Sequence, residues 1–88
     1  MSGLSVQQLR VRYFAGAAAA AGVQEELVEL PAGSDVAYLR KTLADRHSRL
    51  EPVLEVASLL VDAVAVSDTT HCLDGATHVD VLPPFAGG

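Results

Sequence analysis

The stretch HVDVLPPFAGG, residues 78–88, gives the clearest indication of the fold in this sequence. Within it, Val79 and Val81 alternate with three other side chains, a period of two that is typical of a β-strand with one face against a core. Two prolines follow, and they end the strand because neither has a backbone N–H to donate. The stretch therefore predicts a last strand at 78–82 and, beyond the prolines, an arm of residues 85–88.

Two earlier segments also have the pattern of strands. Residues 9–14 alternate with a period of two and predict the first strand, although two glutamines after Val6 leave its start open. Residues 26–30 predict a second strand, which Pro31 and Gly33 end. Because only a brief connection separates these strands, we expect them to pair antiparallel. For the alanine-rich residues 16–22 between them, a short helix is favoured over a flexible flap.

The main helix is predicted at 35–47. Ser34 stands where an N-cap is expected, and Asp35 adds a negative charge that is favourable at a helix start. Three apolar residues follow at helical spacing: Val36, Leu39 and Leu43. Pro52 prevents a simple continuation of this helix.

Residues 58–66 are strand-like on both sides of Asp62. A tight hairpin there is weakened by Ala63, because a two-residue turn favours glycine at a position with positive φ. A hairpin and one continuous strand therefore both stay open. A polar loop and a turn at Asp74-Gly75 lead into the last strand.

This order of elements predicts an α+β fold. A mixed sheet of four to five strands, with one main helix packed across one face, is the two-layer solution available to a chain of 88 residues. The arrangement is the ubiquitin-like β-grasp, in which the last strand runs beside the first at the centre of the sheet. We expect a single domain over residues 1–88 that carries a flexible C-terminal Gly-Gly tail.

Charge and composition narrow the class of partner. The chain carries a net charge of -5. All six Lys and Arg residues precede Leu50, and the charged residues after it are all Asp or Glu. A nucleic-acid partner is not expected, because a binder of phosphates needs the opposite sign. The acidic second half is either a solvated face or a surface steered toward a basic partner.

No membrane segment or export signal is predicted. The longest apolar run, residues 14–23, is shorter than the roughly 20 residues that cross a bilayer. No positive charge precedes an apolar stretch at the N-terminus. Cys72 is the only cysteine, which is compatible with a reducing cytoplasm, and we expect it to be a small buried apolar group.

Common catalytic and metal-binding patterns are missing from the sequence. It has no phosphate-binding GxxxxGK, no Gly-x-Ser-x-Gly and no Cys-x-x-Cys. His47, His71 and His78 lie far apart, so no metal site is predicted. The arm itself is suited to chemistry, because four extended residues reach about 13 Å and glycines pass through a channel that excludes a Cβ. Its terminal carboxylate could be activated with ATP; a frayed end is the alternative.

These residues resemble the ubiquitin-like sulfur carrier proteins, most closely the MoaD family, the small subunit of molybdopterin synthase. The stretches that carry the resemblance are VRYFA at 11–15, LPAGSDV at 30–36, LDG at 73–75 and VDVLPPFAGG at 79–88. Gly-Gly alone fits any ubiquitin-like modifier, whereas Leu-Pro-Pro-x-Ala-Gly-Gly favours the molybdopterin carriers. The chain departs from the family pattern at 62–63, where Asn-Gly or Asp-Gly is common, and at 76–78, where Asp-Glu is frequent.

The resemblance implies chemistry at Gly88. An E1-like enzyme adenylates the C-terminal carboxylate of Gly88 with ATP, and sulfur from a donor system then gives a thiocarboxylate. Phe85, Ala86 and Gly87 thread the arm into a large synthase subunit, where the sulfur passes to a pterin precursor. The catalytic side chains are expected on that subunit, so the resemblance implies that this chain is a non-catalytic subunit. We also expect it to be cytoplasmic and to bind no cofactor.

The base of the arm is the predicted docking surface. Its residues are Leu82, Pro83, Pro84 and Phe85. Leu82 faces away from Val79 and Val81, so it either contacts a partner or, as the alternative, packs in the core.

Three other functions stay open. The chain could carry sulfur for thiamin or cysteine synthesis, it could be a ubiquitin-like protein modifier, or it could be an interaction module with an inert tail.

Overall fold

The computed structural model describes residues 5–84. Its strands are β1 (Val6–Tyr13), β2 (Glu25–Pro31), β3 (Ser58–Val61), β4 (Val64–Val66) and β5 (His78–Leu82). Its α-helices are α1 (Gly16–Ala21), α2 (Val36–Arg46) and α3 (Glu51–Val56), and one 3₁₀ turn covers Ser48–Leu50. The predicted elements are therefore present, and α3 is an addition that the sequence pattern did not predict.

The five strands form one mixed sheet in the order β2-β1-β5-β3-β4. β5 lies in the centre, parallel to β1 and antiparallel to β3. β1 pairs antiparallel with β2, as their brief connection predicted. The β-grasp arrangement, with the last strand beside the first, is confirmed.

One face of the sheet is covered by the helices and contains the core. Val79 and Val81 of β5 are fully buried there, as their alternation predicted. The apolar stripe of α2 is also buried, and it consists of Val36, Leu39 and Leu43. The opposite face carries the alternate residues of each strand and is the open face of the sheet.

The N-terminus of α2 differs from the prediction. Asp35 is the N-cap, because its side chain accepts a hydrogen bond from the Tyr38 amide at 2.9 Å. Ser34 is buried instead, and its hydroxyl donates to the carbonyl of Pro31 at 2.6 Å. The helix consequently begins one residue later and, at Arg46, ends one residue earlier than predicted.

The loop from β4 to β5 caps α2. The amide of Val36 donates to His71 and that of Ala37 to Thr69, so two N–H groups that a helix start leaves free find carbonyl partners. Cys72 lies in this loop and pairs with Asp35 in an isolated β-bridge. The side chain of Cys72 is exposed, so the prediction of a buried apolar group was wrong. The exposed Cys72 Sγ accepts a hydrogen bond from the amide of Asp74 at 3.5 Å.

The open question about residues 58–66 is resolved as a hairpin. Asp62 and Ala63 have φ values of 48° and 71°, the positive pair that a tight two-residue turn requires. The Asp62 carboxylate accepts hydrogen bonds from the amides of Thr77 and His78 and from the Thr77 hydroxyl. These bonds lower the pKa of Asp62 and tie the turn to the start of β5.

The connection between β1 and β2 is the short helix that was favoured over a flap. α1 is followed by Gly22, whose φ of 79° is the left-handed conformation common directly after a helix. The helix follows Ala15, whose φ of 50° and ψ of -126° lie in a region that glycine adopts freely. Such a conformation in a residue with a side chain costs about 1–3 kcal/mol.

Glu26 joins the sheet to the end of α2. Its carboxylate accepts a hydrogen bond from the Tyr13 hydroxyl at 2.6 Å, lies 2.7 Å from His47 Nε2 and pairs with Arg46 at 3.1 Å. Burial alone would raise the pKa of Glu26, but the bonds from these three side chains outweigh it and lower that pKa below 4.5. Burial and the bond to Glu26 raise the pKa of Tyr13.

Replacement of Glu26 tests this junction. Because the folded pKa of Glu26 is depressed, its contribution to stability is present above the unfolded value near 4.5 and is lost as the pH falls through the folded value. We expect Glu26→Gln to lower the free energy of unfolding by about 2 kcal/mol near neutral pH, with a smaller difference in acid. Urea denaturation at several pH values measures both. Glu29→Gln, on an exposed site of β2, is the control, and an equal loss in both variants would contradict the role of Glu26.

Candidate functional site: the base of the C-terminal arm

Three predicted partner contacts fall within the described residues, and they lie together where β5 ends. Leu82 is the last residue of β5, and Pro83 and Pro84 follow it directly. The remaining predicted site residues lie outside the described residues: Phe85, Ala86, Gly87 and Gly88. The described site is therefore the base from which the arm departs.

Strands on both sides hold this base. On one side the amide of Phe14, just after β1, donates to the carbonyl of Val81 at 3.2 Å. On the other side Leu82 pairs with Ser58, the first residue of β3. Because neighbours flank β5 up to its last residue, the arm starts from a central strand rather than from a frayed edge.

An ion pair crosses the open face next to the base. Arg12 donates from Nε to Asp80 Oδ1 at 2.6 Å and from its terminal nitrogen to Oδ2 at 3.0 Å. The Asp80 side chain is 11% exposed and that of Arg12 is 42% exposed, so the carboxylate is desolvated while the guanidinium reaches solvent. Hydrogen bonding to Asp80 raises the pKa of Arg12. This bidentate pair fixes β1 and β5 in register two residues before the arm base.

Apolar side chains surround the base. Leu82 is partly exposed and lies outside the buried core, which contradicts the alternative that it packs inside. Phe14 is 39% exposed, and Val56, two residues before the Leu82 partner Ser58, is 62% exposed. Exposed apolar groups at one end of a sheet are typical of a surface that another protein covers.

A shallow cleft of about 420 Å³ adjoins the base between the end of β1 and the start of β2. Phe14, Ala15 and Ala18 contribute its apolar lining, and Arg12 and Glu25 lie among its polar residues. Both charges already have partners, since Arg12 pairs with Asp80 and Glu25 pairs with Arg10 at 2.7 Å. The cleft is therefore suited to an uncharged group.

Most of the Asp and Glu residues that follow Leu50 have structural roles. Four carboxylates hold turns or strands, because Asp62, Asp68, Asp74 and Asp80 accept hydrogen bonds within the domain. Glu51 and Glu55 are exposed on α3. Hydrogen bonding within the domain thus explains part of the excess of acidic residues in the second half. Electrostatic attraction of the domain to a basic partner stays a prediction.

Sequence reasoning missed Phe14 as a site residue. The alternation placed Phe14 at the end of a strand, but its position beside the end of β5 depends on the parallel pairing of β1 with β5. The signal available in the sequence was a large apolar residue directly before the alanine-rich segment. The pairing of Arg12 with Asp80 was likewise missed, since 68 residues separate the two.

Residues 5–84 have neither a metal-binding cluster nor a membrane-spanning helix. No group of three or more His, Cys, Asp or Glu side chains within these residues is placed to hold a metal ion. None of the helices in this part of the chain has the length and hydropathy needed to span a membrane.

Comparison with known proteins identifies the family. A family model described as the ThiS family matches residues 11–88, a range that begins within β1 and includes β2 to β5 and residues 85–88. The chain belongs to the ThiS family. A relative from Caenorhabditis briggsae, named molybdopterin synthase sulfur carrier subunit, is 31% identical over 81 residues, or 91% of this chain and 96% of that protein. The resemblance to the MoaD carriers seen in the sequence is confirmed.

Solved structures share the fold of this ThiS-family chain. A putative molybdopterin converting factor, subunit 1, from Pyrococcus furiosus has a TM-score of 0.76 at 26% identity, covering 89% of this chain and 98% of that one. SAMP1 from Haloferax volcanii has a TM-score of 0.80 at 20% identity, with 93% and 100% covered. A complex of subunits 1 and 2 of the molybdopterin-converting factor from Helicobacter pylori matches at 0.68 and 22%, with 93% and 100% covered.

The ion pair between Arg12 and Asp80, near the arm base of this ThiS-family chain, is expected to contribute measurably to stability. Asp80→Asn keeps the size of the side chain but removes the charge that Arg12 contacts, so we expect a Tm lower by about 5 °C in a thermal melt. Asp45→Asn is the control, because the Asp45 pair with Lys41 is about 70% exposed on both sides. An equal shift in both variants would show that position 80 has no special role.

Proposed function

We propose that this chain is the sulfur carrier subunit of a molybdopterin synthase. One observation carries the proposal: a central strand, held on both sides, ends in Leu82-Pro83-Pro84 and continues into an arm whose sequence finishes with Gly87-Gly88. The names of the relative from C. briggsae and of the P. furiosus protein support the same role. The domain serves as a rigid base, and the reacting group is the carboxylate of Gly88.

The proposed chemistry takes place in two steps. A carboxylate oxygen of Gly88 first attacks the α-phosphorus of ATP, pyrophosphate leaves, and an acyl-adenylate forms. Hydrosulfide (HS⁻) supplied by a donor system then attacks the acyl carbon, the bond between that carbon and the AMP oxygen breaks, AMP leaves, and loss of the sulfur-bound proton gives the thiocarboxylate. The acyl-adenylate, a mixed anhydride, is needed because a free carboxylate resists nucleophilic attack. ATP belongs to the activating enzyme, and this chain holds no cofactor of its own in the proposal.

The surfaces of the domain suggest how partners recognise it. Phe14, Val56 and Leu82 provide apolar area around the arm base, and such anchors dominate the binding energy of many interfaces. Phe85, Ala86 and Gly87 would thread into the partner beyond them. We infer three partners: an E1-like adenylating enzyme, a sulfur donor, and a large synthase subunit that supplies the catalytic side chains. The H. pylori structure, a complex of subunits 1 and 2 of the molybdopterin-converting factor, supports a second subunit as a partner. The proposed location is the cytoplasm.

The alternative functions differ in the acceptor to which the activated C-terminal group of Gly88 would be delivered. A carrier for thiamin or cysteine synthesis would form the same thiocarboxylate and deliver it to another acceptor. A modifier would form an isopeptide bond to lysine side chains. The likeness to SAMP1, at 20% identity, concerns the fold alone and does not favour modification.

Changes at Gly88 test the reactive group. Deletion of Gly88, or addition of one residue after it, moves the carboxylate by roughly 3 Å relative to the domain, so we expect sulfur acceptance to be abolished. The measurement is intact mass after incubation with the activating enzyme, ATP and a sulfur donor. Thermal melts are the control and should match those of the unchanged protein. Full conversion of the extended chain to a thiocarboxylate would refute the proposal.

The apolar anchors are tested separately. Phe14→Ala and Leu82→Ala each remove a partly exposed apolar side chain at the arm base, so we expect affinity for the large subunit to fall about tenfold or more. Isothermal titration calorimetry measures this. Val64→Ala is the matched control, because Val64 is 64% exposed at the opposite end of the sheet. Equal affinities for all three variants would contradict docking at the arm base.

A further inference from the structure

The short helix α3 has little stability of its own. It is six residues long, from Glu51 to Val56, and a helix of that length is not stable in isolation. Glu51 and Glu55 are both exposed and lie four residues apart, a spacing at which two like charges on a helix repel each other. The helix therefore depends on contacts with the rest of the domain.

Apolar contacts hold only the buried side of α3. Leu50, directly before the helix, and Leu54 within it are buried in the core. Two clefts border the rest of the helix: one of about 340 Å³ lies between α3 and β4, and one of about 420 Å³ lies between α3 and α2. Because space remains on these sides, packing alone does not fix the end of α3.

Arg40 of α2 supplies a polar contact to α3 where both clefts meet. Its terminal nitrogen donates to the carbonyl of Leu54 at 3.1 Å in a partly buried bond. Arg40, Leu54 and Glu55 line both clefts. The Leu54 carbonyl lies in the last turn of α3, where a helix leaves carbonyls without partners of its own. The amide of Ala57 fills the carbonyl before it, that of Val53.

The contact made by Arg40 differs from those of other basic side chains. Ion pairs with carboxylates are formed by Arg10, Arg12, Lys41 and Arg46. Arg40 instead donates to a backbone carbonyl 14 residues away. An arginine has several donors at the end of a long side chain, so it reaches across a cleft that packing does not close. The bond therefore ties α2 to the end of α3.

The end of α3 leads directly into the arm base. Val56 is the last residue of α3 and is 62% exposed. Ala57 follows, and Ser58 then begins β3 and pairs with Leu82 at the end of β5. A shift of the end of α3 would consequently move Val56 relative to Leu82.

We propose that Arg40 is a positioning residue: its bond to the Leu54 carbonyl holds the end of α3 so that Val56 is fixed for contact with the large subunit. The proposal rests on the proposed function, because it takes that subunit as the partner. Arg40 itself does not touch the partner. Without its bond, the end of α3 has to be ordered when the complex forms, and that ordering lowers affinity.

Hydrogen exchange tests the hold on α3. Arg40→Met keeps an apolar stem and removes the donors, so the amides of Glu55, Val56 and Ala57 should exchange about tenfold faster. Lys41→Met is the control, because it removes an equal charge at the next position of α2 from a side chain that is 72% exposed. Exchange at these amides that is the same in Arg40→Met and the unchanged protein would overturn the proposal.

Affinity for the large subunit, measured by calorimetry, tests the link to Val56. We expect Arg40→Met to bind about fivefold more weakly and Lys41→Met to bind as the unchanged protein does. Once Val56→Ala has removed the anchor, the addition of Arg40→Met should cause no further loss. A merely structural role would lower stability and leave affinity unchanged at a temperature where the variant is folded.

The outcomes separate this inference from the proposed function. A loss of affinity that disappears in the Val56→Ala background supports the positioning role. An equal loss in both backgrounds overturns it, as does an equal loss in Lys41→Met or an affinity that Arg40→Met leaves unchanged, and in each case the proposed function stands. Failure of the unchanged protein to bind the large subunit overturns both. If Arg40→Met does not fold, the cycle is measured with Arg40→Lys, which retains one ammonium donor, and the same outcomes apply.

Discussion

The parallel pairing of β1 with β5 is the constraint on which the rest of this structure depends. It joins residues from opposite ends of the chain, with Arg10 opposite His78 and Tyr13 opposite Val81. The pairing buries Val79 and Val81 at the centre of the sheet and brings Phe14 to the base of the arm. Arg12 and Asp80 lock the register on the open face, while Glu26 holds Tyr13 from the helical side. If β1 were displaced, the arm base at the end of β5 would no longer be held on that side.

Much of this fold could be predicted because its signals are local. The alternation at Val79 and Val81 and the prolines after them identified the last strand, and the spacing of Leu39 and Leu43 identified the main helix. The structure confirms these elements and the order of strands that they implied. Other features depend on tertiary contacts that no local pattern contains. α3 is only six residues long and begins with a proline in its first turn, so its sequence looked like a helix terminator.

The details that were wrong or left open have physical causes of the same kind. Ala63 argued against a tight hairpin, but bonds between Asp62 and the start of β5 offset the strain of the turn. Cys72 appeared suited to burial, yet it lies in an exposed loop, where it pairs with Asp35 in a β-bridge and its Sγ accepts from the Asp74 amide. For the site, the arm base at Leu82 was predictable from sequence. The contribution of Phe14 was not, because it arises from contact with Val81, 67 residues further along the chain.

The central claim, that this domain carries sulfur for molybdopterin, is tested most directly by the molybdopterin content of cells that lack the chain. Gene deletion followed by quantification of molybdopterin, thiamin and cysteine separates the pathways that share this chemistry. The account predicts loss of molybdopterin alone, with recovery when the unchanged chain is restored and none when it lacks Gly88. Normal molybdopterin in the deletion strain, or a loss of thiamin or cysteine instead, would contradict it.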